Sequence, residues 1–420
     1  MHVAFFNRSY FPDQTATGQL LTDLAEDLVS QHGCRVTVVV GPPLAPLPGR
    51  TVEQRGVVRR EVTNGVEVHR ALGTRFAKSR FAGRAANYLT YFLSAAFAGL
   101  RLDRPDVVVA LTDPPIIGLA AWAAARRGRA PFVMAFNDLF PEVTALLPDF
   151  HSRTIDNLLQ RVNRFLVRRA AMNIALGQTM RRRLIESKGA PPERTVVIPS
   201  WADTTAISPG EKRNPFSEAH DLADHFVVMH SGNLGLSQGL DTIVEAAALL
   251  ADLPDLRIVF QGDGVTRGDL EAQVRARRLS NVLFLPFASR ADLGASFAAA
   301  DVFVVSLRQG LAGYVVPSKL YGILAAGRCY VAAVEAGCEV AEITRAHECG
   351  LLAEPGNARD LADKIRQLHA DRELTRRLAA NARRAGLGFD RRQQVARYMH
   401  VFDAVRRSAA GVAPTTAPEM

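Results

Sequence analysis

Short, uninterrupted apolar runs alternate along this chain with longer segments whose apolar positions recur every three or four residues. In the first half the runs are Val3 to Asn7, Arg35 to Val40, Val66 to Arg70, Val107 to Leu111 and Pro131 to Ala135, with helical patterns over Gly18 to Gln31 and Ile116 to Arg127. In the second half the strands are Phe226 to His230, Arg257 to Gln261, Val282 to Pro286, Val302 to Ser306 and Tyr330 to Ala333. The helices between them are Asp241 to Leu250, Gly268 to Arg277, Asp292 to Ala299 and Ser318 to Ala326. Strands that are apolar throughout need cover on both faces, so the pattern predicts an α/β fold of two doubly wound, Rossmann-like parallel sheets.

A chain of 420 residues exceeds what one core serves, so two domains are expected. Trp201 to Asp224, rich in Pro, Ser, Asp and charge, reads as the linker after a first domain ending near Pro199. The expected division is 1–200, 201–387, a helix over 388–408 returning to the first domain, and a small, polar tail over 409–420 that frays. Two such domains facing each other would form a cleft at the carboxyl ends of both sheets, where open α/β sheets bind ligands.

Composition narrows the class. Hydrophobic residues make up 48% of the chain, which argues for a folded protein over a disordered one. The longest apolar candidate, Tyr88 to Leu102, falls short of the roughly twenty residues a membrane span needs. The amino terminus runs straight into a strand without an export signal, so a cytoplasmic protein is expected. Cys34, Cys329, Cys338 and Cys349 show neither CxxC spacing nor a His cluster, so reduced thiols and no metal or cofactor are expected. The formal charge of +9 calls for an anionic partner. Ten Arg or Lys stand against three Asp or Glu between Arg153 and Arg194, placing much of that excess in one patch of the first half. No nucleic-acid recognition motif accompanies the patch, so nucleic acid is not the expected partner.

The candidate chemistry lies at strand ends. Ser231 to Gly239 follows a strand and opens a helix; Gly232, Gly235 and Gly239 allow close backbone approach, and Asn233 and Gln238 can donate hydrogen bonds. Pro317 and Ser318 are natural first residues of a helix, where Ser318 can cap and Lys319 adds a positive charge beside free amides. Two anion-friendly turns in one half suggest a diphosphate ligand. Gly262 and Asp263 end the next strand, where an ordinary turn serves equally well. In the first half Gly18 sits at a helix mouth that suits a phosphate, a sugar or an unliganded turn. Asp138 and Glu142 follow the strand Pro131 to Ala135 and could orient or deprotonate an acceptor hydroxyl. Arg75, Lys78, Arg80 and Arg84 lead into Phe76, Phe81, Tyr88, Tyr91, Phe92 and Phe97, which fits an interfacial membrane contact or a core helix behind a basic loop.

Taken with Tyr10-Phe11-Pro12, Leu111 to Pro115, Asp138 to Glu142, Ile198 to Trp201, Gly232 to Gly235 and Pro317 to Arg328, the chain resembles the family-4 nucleotide-sugar glycosyltransferases of the GT-B fold. Within them it is similar to the L-fucosamine-transferase-like branch of bacterial surface-polysaccharide assembly. The resemblance implies a retaining hexosyltransferase moving a sugar from a nucleoside diphosphate, a UDP-sugar by expectation, to a lipid-linked glycan. That work belongs to O-antigen, capsule or exopolysaccharide synthesis at the inner face of the plasma membrane. It implies a donor diphosphate between Gly232 to Gln238 and Ser318, a base near Phe287 and Leu293, and donor contacts from Val316, Pro317 and Tyr321. Tyr314 and Gly322 stand where many members carry glutamates, Asn233 and Gln238 where relatives often have Arg and Lys, and Ala312 where the branch often has a carboxylate. Rival readings are a catalytically silent GT-B scaffold at the membrane and a nucleotide-sugar epimerase.

Overall fold

A computed structural model describes residues 1–13, 15–43, 56–74, 76, 81–143, 153–289 and 291–411. Arg75, Lys78, Arg80 and residues 412–420 of the tail, all used above, lie outside them. The chain divides into two units, Met1–Pro199 together with the chain from Gln394 onward, and Ser200–Gln393.

The first unit runs β1 (His2–Phe6), α1 (Ala16–Ser30), β2 (Arg35–Val40), β3 (Val58–Thr63), β4 (Val66–Ala71), α2 (Phe81–Gly99), β5 (Val107–Ala110), α3 (Ile117–Gly128), β6 (Phe132–Ala135), α4 (Arg153–Arg169), β7 (Met172–Ala175), α5 (Gln178–Arg183) and β8 (Thr195–Val197). Its eight strands are ordered β3-β4-β2-β1-β5-β6-β7-β8, and every pair is parallel except β3 with β4. The inner strands β1 and β5 are buried along their whole length, because helices cover both faces of a parallel sheet. The periodicity did not reveal β3. Val-Arg-Arg-Glu-Val-Thr alternates as an edge strand does, with Val62 71% exposed, and Asn64-Gly65, both at positive φ, form the two-residue turn into β4.

The second unit runs α6 (Pro215–Ala219), β9 (Phe226–Ser231), α7 (Asp241–Leu249), β10 (Leu256–Gln261), α8 (Arg267–Ala276), β11 (Val282–Leu285), α9 (Leu293–Ala298), β12 (Val302–Ser306), α10 (Lys319–Ala325), β13 (Cys329–Ala333), α11 (Glu339–His347), β14 (Gly350–Ala353), α12 (Ala358–Ala370) and α13 (Arg372–Leu387). Its six strands, β11-β10-β9-β12-β13-β14, are all parallel. One apolar cluster from β9, β10, β12, β13, α7 and α12, including Val228, Ile243, Phe260 and Leu361, fills the interior. The final helix α14 (Arg391–Ala409) belongs to the first unit from Gln394 onward, where Phe402 meets Phe5 edge-on at 6.1 Å.

The segment read as a linker, Trp201 to Asp224, is instead fixed to the second unit. Trp201 and Ala202 are buried, Arg383 donates to the Thr204 and Ile207 carbonyls, and Lys212 pairs with Asp301. Its Pro, Ser and Asp serve turns and caps, as where Asn214 caps α6 through the Phe216 and Ser217 amides. Among the described residues no helix is long and apolar enough to cross a membrane.

Both sheets reverse their order of addition at one place, between β1 and β5 and between β9 and β12. Loops leaving the carboxyl ends of two such strands diverge and open a crevice. In the first unit Tyr91 of α2 ties together the strand ends beside that place. Its buried hydroxyl donates to the carbonyls of Asn7 (2.8 Å) and Val39 (3.1 Å), just where β1 and β2 end. Tyr91→Phe leaves buried carbonyls short of a donor and is expected to lower stability by about 1–2 kcal/mol, read as a lower denaturation midpoint of the full chain in urea.

Candidate active site

The switch point of the second sheet brings the loop after β9 against the residues that follow β12. Gly232, at φ +120, lies against the side chain of Lys319, the first residue of α10: a Cβ on Gly232 would stand 3.6 Å from Lys319 Cε and Nζ. The loop is held from behind by backbone. The Gly232 amide donates to the Gln261 carbonyl and the Leu234 amide to the Asp263 carbonyl, each at 2.9 Å. A Cβ on Gly262, at φ +146, would fall 1.9 Å from the Gly232 carbonyl oxygen, so only glycine permits this backbone contact. Gly262 and Asp263 therefore brace the loop; the Asp263 carboxylate accepts from the next amide, that of Gly264, at 2.8 Å.

Lys319 Nζ lies 2.8 Å from Nε2 of His230, the penultimate residue of β9. His230 is buried. Burial first and the Lys319 charge second hold its ring well below the ordinary histidine value, so the neutral ring accepts a hydrogen bond from the ammonium. Burial pushes Lys319 itself down to about 7. Among the described residues no carboxylate meets Lys319, and only one of its three donors is engaged.

Other expected contacts sort into two groups. Asn233 is exposed at the loop's tip, and Gln238 folds back so that its Oε1 accepts from the Gly235 amide at 2.9 Å. Leu293 opens α9, one turn before Ser296, whose hydroxyl reaches Gln261 Oε1 at 2.5 Å, the atom that Ser231 also approaches. Phe287 is exposed in the loop after β11. Val316 is buried and Pro317 half-buried ahead of α10.

Two expectations fail here. Ser318 has helical φ and ψ and makes no side-chain cap bond, since the chain enters α10 through a tight turn in which the Leu320 amide bonds the Pro317 carbonyl. Tyr321 points away from the loop. It is 1% exposed, edge-on to Phe389 at 5.1 Å and clustered with Ala202 and Ala325, which makes it a core residue.

Three residues escaped the sequence reading. His230 looked like the end of an apolar strand. Arg308, on the loop after β12, gives its amide to the Ser237 carbonyl at 2.8 Å and lays its side chain against Gly239, so an exposed cation stands beside Gln238. Glu335, after β13, accepts from the Gly310 and Ala312 amides at 2.9 and 3.2 Å, so a carboxylate rests on the residue where the branch often carries one. A charged residue immediately beyond a strand flanking the switch point was the available signal for Arg308.

In the first unit, Asp138 stands on the loop after β6, its amide 3.4 Å from the Thr112 hydroxyl. Desolvation, and then the nearby Asp113 charge, raise its carboxyl to about 6. Asp113 is fixed by the Ser9 hydroxyl (2.9 Å) and by the Arg8 amide on its carbonyl (2.7 Å). Glu142 is not free: both its oxygens lie 2.7 Å from Nζ of buried Lys188, which also bonds the Phe140 carbonyl and Gln160. Gly18 offers no open amide, because its N–H donates to Thr15, the cap of α1. Among the described residues no group of three or more His, Cys, Asp or Glu could hold a metal ion.

Two family models match, one on each half: "Glycosyl transferase 4-like domain" over residues 15–201 and "Glycosyl transferases group 1" over residues 212–385. The Escherichia coli (strain K12) protein WcaI, named as a colanic acid biosynthesis glycosyl transferase, is 26% identical over 87% of this chain and 92% of its own length. A Campylobacter jejuni protein named as an N,N'-diacetylbacillosaminyl-diphospho-undecaprenol alpha-1,3-N-acetylgalactosaminyltransferase is 36% identical over 24% of this chain and 28% of its own. Among solved structures, Anabaena HepE in complex with UDP and glucose superimposes with a TM-score of 0.73 over 96% of this chain and 99% of that one, at 21% identity, a likeness of fold. With one matching model on each Rossmann-like half, together spanning most of the chain, it belongs to the family-4 glycosyltransferases of the GT-B fold and is a transferase.

Proposed function

We propose that the enzyme moves a sugar, with retention of configuration, from a uridine diphosphate donor to a lipid-linked glycan during surface-polysaccharide synthesis, working as a peripheral protein at the inner membrane face. The observation that carries the reading is Lys319: a partly buried cation beside a glycine backbone, hydrogen-bonded to a neutral ring and with no carboxylate partner among the described residues. Such a group is unstable as an ammonium until an anion arrives, and the bare face of Gly232 leaves room for one. Gly232, Asn233, Gly235 and Gln238 form the loop side of the donor site, Val316, Pro317 and Ser318 the facing side, and Phe287 and Leu293 the base end. Arg308 supplies the second cation that the loop lacks.

As the bond from the anomeric carbon to the donor phosphate breaks, its electron pair passes to the phosphate oxygen. Lys319 and the amides of Ser318 and Lys319, which donate to no other described residue, hold that growing charge best at the transition state. A donor phosphate oxygen takes the acceptor's hydroxyl proton, and Asp138 orients that hydroxyl. The uridine donor is supported by the UDP complex named for HepE, and the acceptor by the names of the E. coli and C. jejuni relatives. Peripheral attachment is supported by α2, whose 19 residues include one arginine and no carboxylate.

A thermal-shift panel of uridine, guanosine and adenosine diphosphate sugars tests the donor site. The uridine sugars are expected to stabilise the chain by about 2.7 kcal/mol at a hundred times their dissociation constant, and Lys319→Ala to lower turnover about 100- to 1000-fold; equal response to all three bases, or unchanged turnover, contradicts the reading.

Because the free Lys319 titrates near 7 and a bound diphosphate favours its charged form, binding above pH 7 must take up a proton. UDP affinity is therefore expected to fall as pH rises through 7 toward 9, and Lys319→Met to flatten that dependence, measured calorimetrically in buffers of different ionisation enthalpy.

Asp138, raised to about 6, loses its acceptor oxygen when protonated. The kcat/KM profile is expected to fall below pH 6, and Asp138→Asn to remove that limb while lowering the plateau about 100-fold.

A further inference from the structure

On the outer edge of the first unit, β3, β4 and the end of α2 enclose a cavity of about 280 Å3 lined by Val57, Val58, Arg60, His69, Phe97, Ala98 and Arg101. At the low end of the range for small-molecule sites, roughly 300–1,000 Å3, it matches a headgroup better than a nucleotide sugar. Its charge is of one sign. Arg60 and His69 are directly opposed across the β3–β4 ladder, so both project from the same face of the hairpin. Arg101 lies flat on the Phe97 ring, 3.8 Å from its centroid, which holds the guanidinium plane while leaving its edge free.

Neither arginine makes an ion pair among the described residues, because the nearby carboxylates are committed elsewhere. Glu67 and Asp103 bind Arg35, and Glu61 binds Arg59 and Arg70. His69 is 8% exposed, and neither ring nitrogen forms a hydrogen bond within the described chain. Its ring nitrogens are not sealed off as buried unpaired atoms; the ring opens onto the cavity, flanked by two guanidinium groups that make no ion pair among the described residues.

Phe97 also belongs to a second feature. Leu89, Leu93 and Phe97 of α2 and Leu100 just beyond its end follow one another at helical spacing and are 54%, 58%, 38% and 44% exposed, an apolar stripe with no carboxylate in the helix. Monomeric surfaces seldom leave such a stripe in water. It is too short and too one-sided to span a bilayer, and it suits the boundary between headgroups and acyl chains.

We propose that this cavity grips the phosphate of an anionic membrane phospholipid, with Arg60 and Arg101 on its oxygens and a His69 ring N–H as a third donor, while the stripe enters the acyl boundary beside it. The inference rests on the peripheral-membrane reading and names the lipid group that reading requires.

Flotation of the full chain with phosphatidylcholine vesicles, with and without phosphatidylglycerol, tests it. Binding is expected only with phosphatidylglycerol. The double variant R60A/R101A is expected to weaken it about thirty-fold, since each surface cation contributes roughly fivefold. His69→Leu is the decisive arm: it changes no charge on the neutral ring, so general attraction to an anionic surface predicts no loss, whereas the cavity predicts a several-fold loss. An unchanged urea denaturation midpoint of the full chain shows that each variant folds, and the arginine variant keeps the test open should His69→Leu not fold. If the unaltered chain does not float, the membrane reading itself fails. If it floats equally with and without these substitutions, the cavity assignment alone is overturned. If inorganic phosphate binds the unaltered chain but not His69→Leu and vesicles do not, a free phosphate is the ligand and the lipid assignment is wrong.

Discussion

The second unit is organised by a backbone contact that tolerates no side chain. Because Gly262 lets its turn close onto the Gly232 carbonyl, the loop after β9 is pressed flat, and its glycine face turns toward Lys319. The parallel order β10-β9-β12 then decides what stands there: β9 supplies His230 and the loop, and β12 supplies Arg308 and the approach to α10. Fold and chemistry share a cause, since a switch point separates two strand-end loops and whatever those loops carry lines the gap.

Most of the framework was legible because buried parallel strands must be predominantly apolar, and β1, β2, β5, β9, β10, β12 and β13 are. Failures fell where that rule lapses. The strand β3 is an edge in which Arg59, Arg60 and Glu61 separate Val58 from Val62, so it carries no continuous apolar signal. Residues 201–224 look like a linker by composition, yet their polar side chains are used locally in caps and in bonds to the second unit. Composition reports what side chains are, and does not report whether a partner is waiting.

The site shows the same limit at finer grain. Glycine spacing and a lysine at a helix start were enough to pair the loop at Gly232 with Lys319, and the two are in contact. Direction was not legible. Tyr321 is two residues from Lys319, and a helix turns such neighbours about 200° apart, so one faces the loop and the other enters the core with Phe389. Ser318 has the right chemistry for a cap, but its helical backbone denies the hydroxyl the required geometry. His230 was invisible because its role depends on Lys319, 89 residues away.

Two buried lysines separate support from chemistry by their partners. Lys188 is surrounded by a carboxylate, a carbonyl and an amide oxygen, so its charge is answered inside the fold and it ties Glu142 and the turn at Phe140 to α4. Lys319 meets a neutral imidazole that accepts one hydrogen bond and offers no charge. Desolvation acts on both, but only at Lys188 does a carboxylate oppose it. Adding a carboxylate beside Lys319 would stabilise the empty protein and fill the place an anionic substrate needs. The missing carboxylate is what lets substrate charge complete the site, and His230, which fixes the ammonium without neutralising it, keeps that deficit in position.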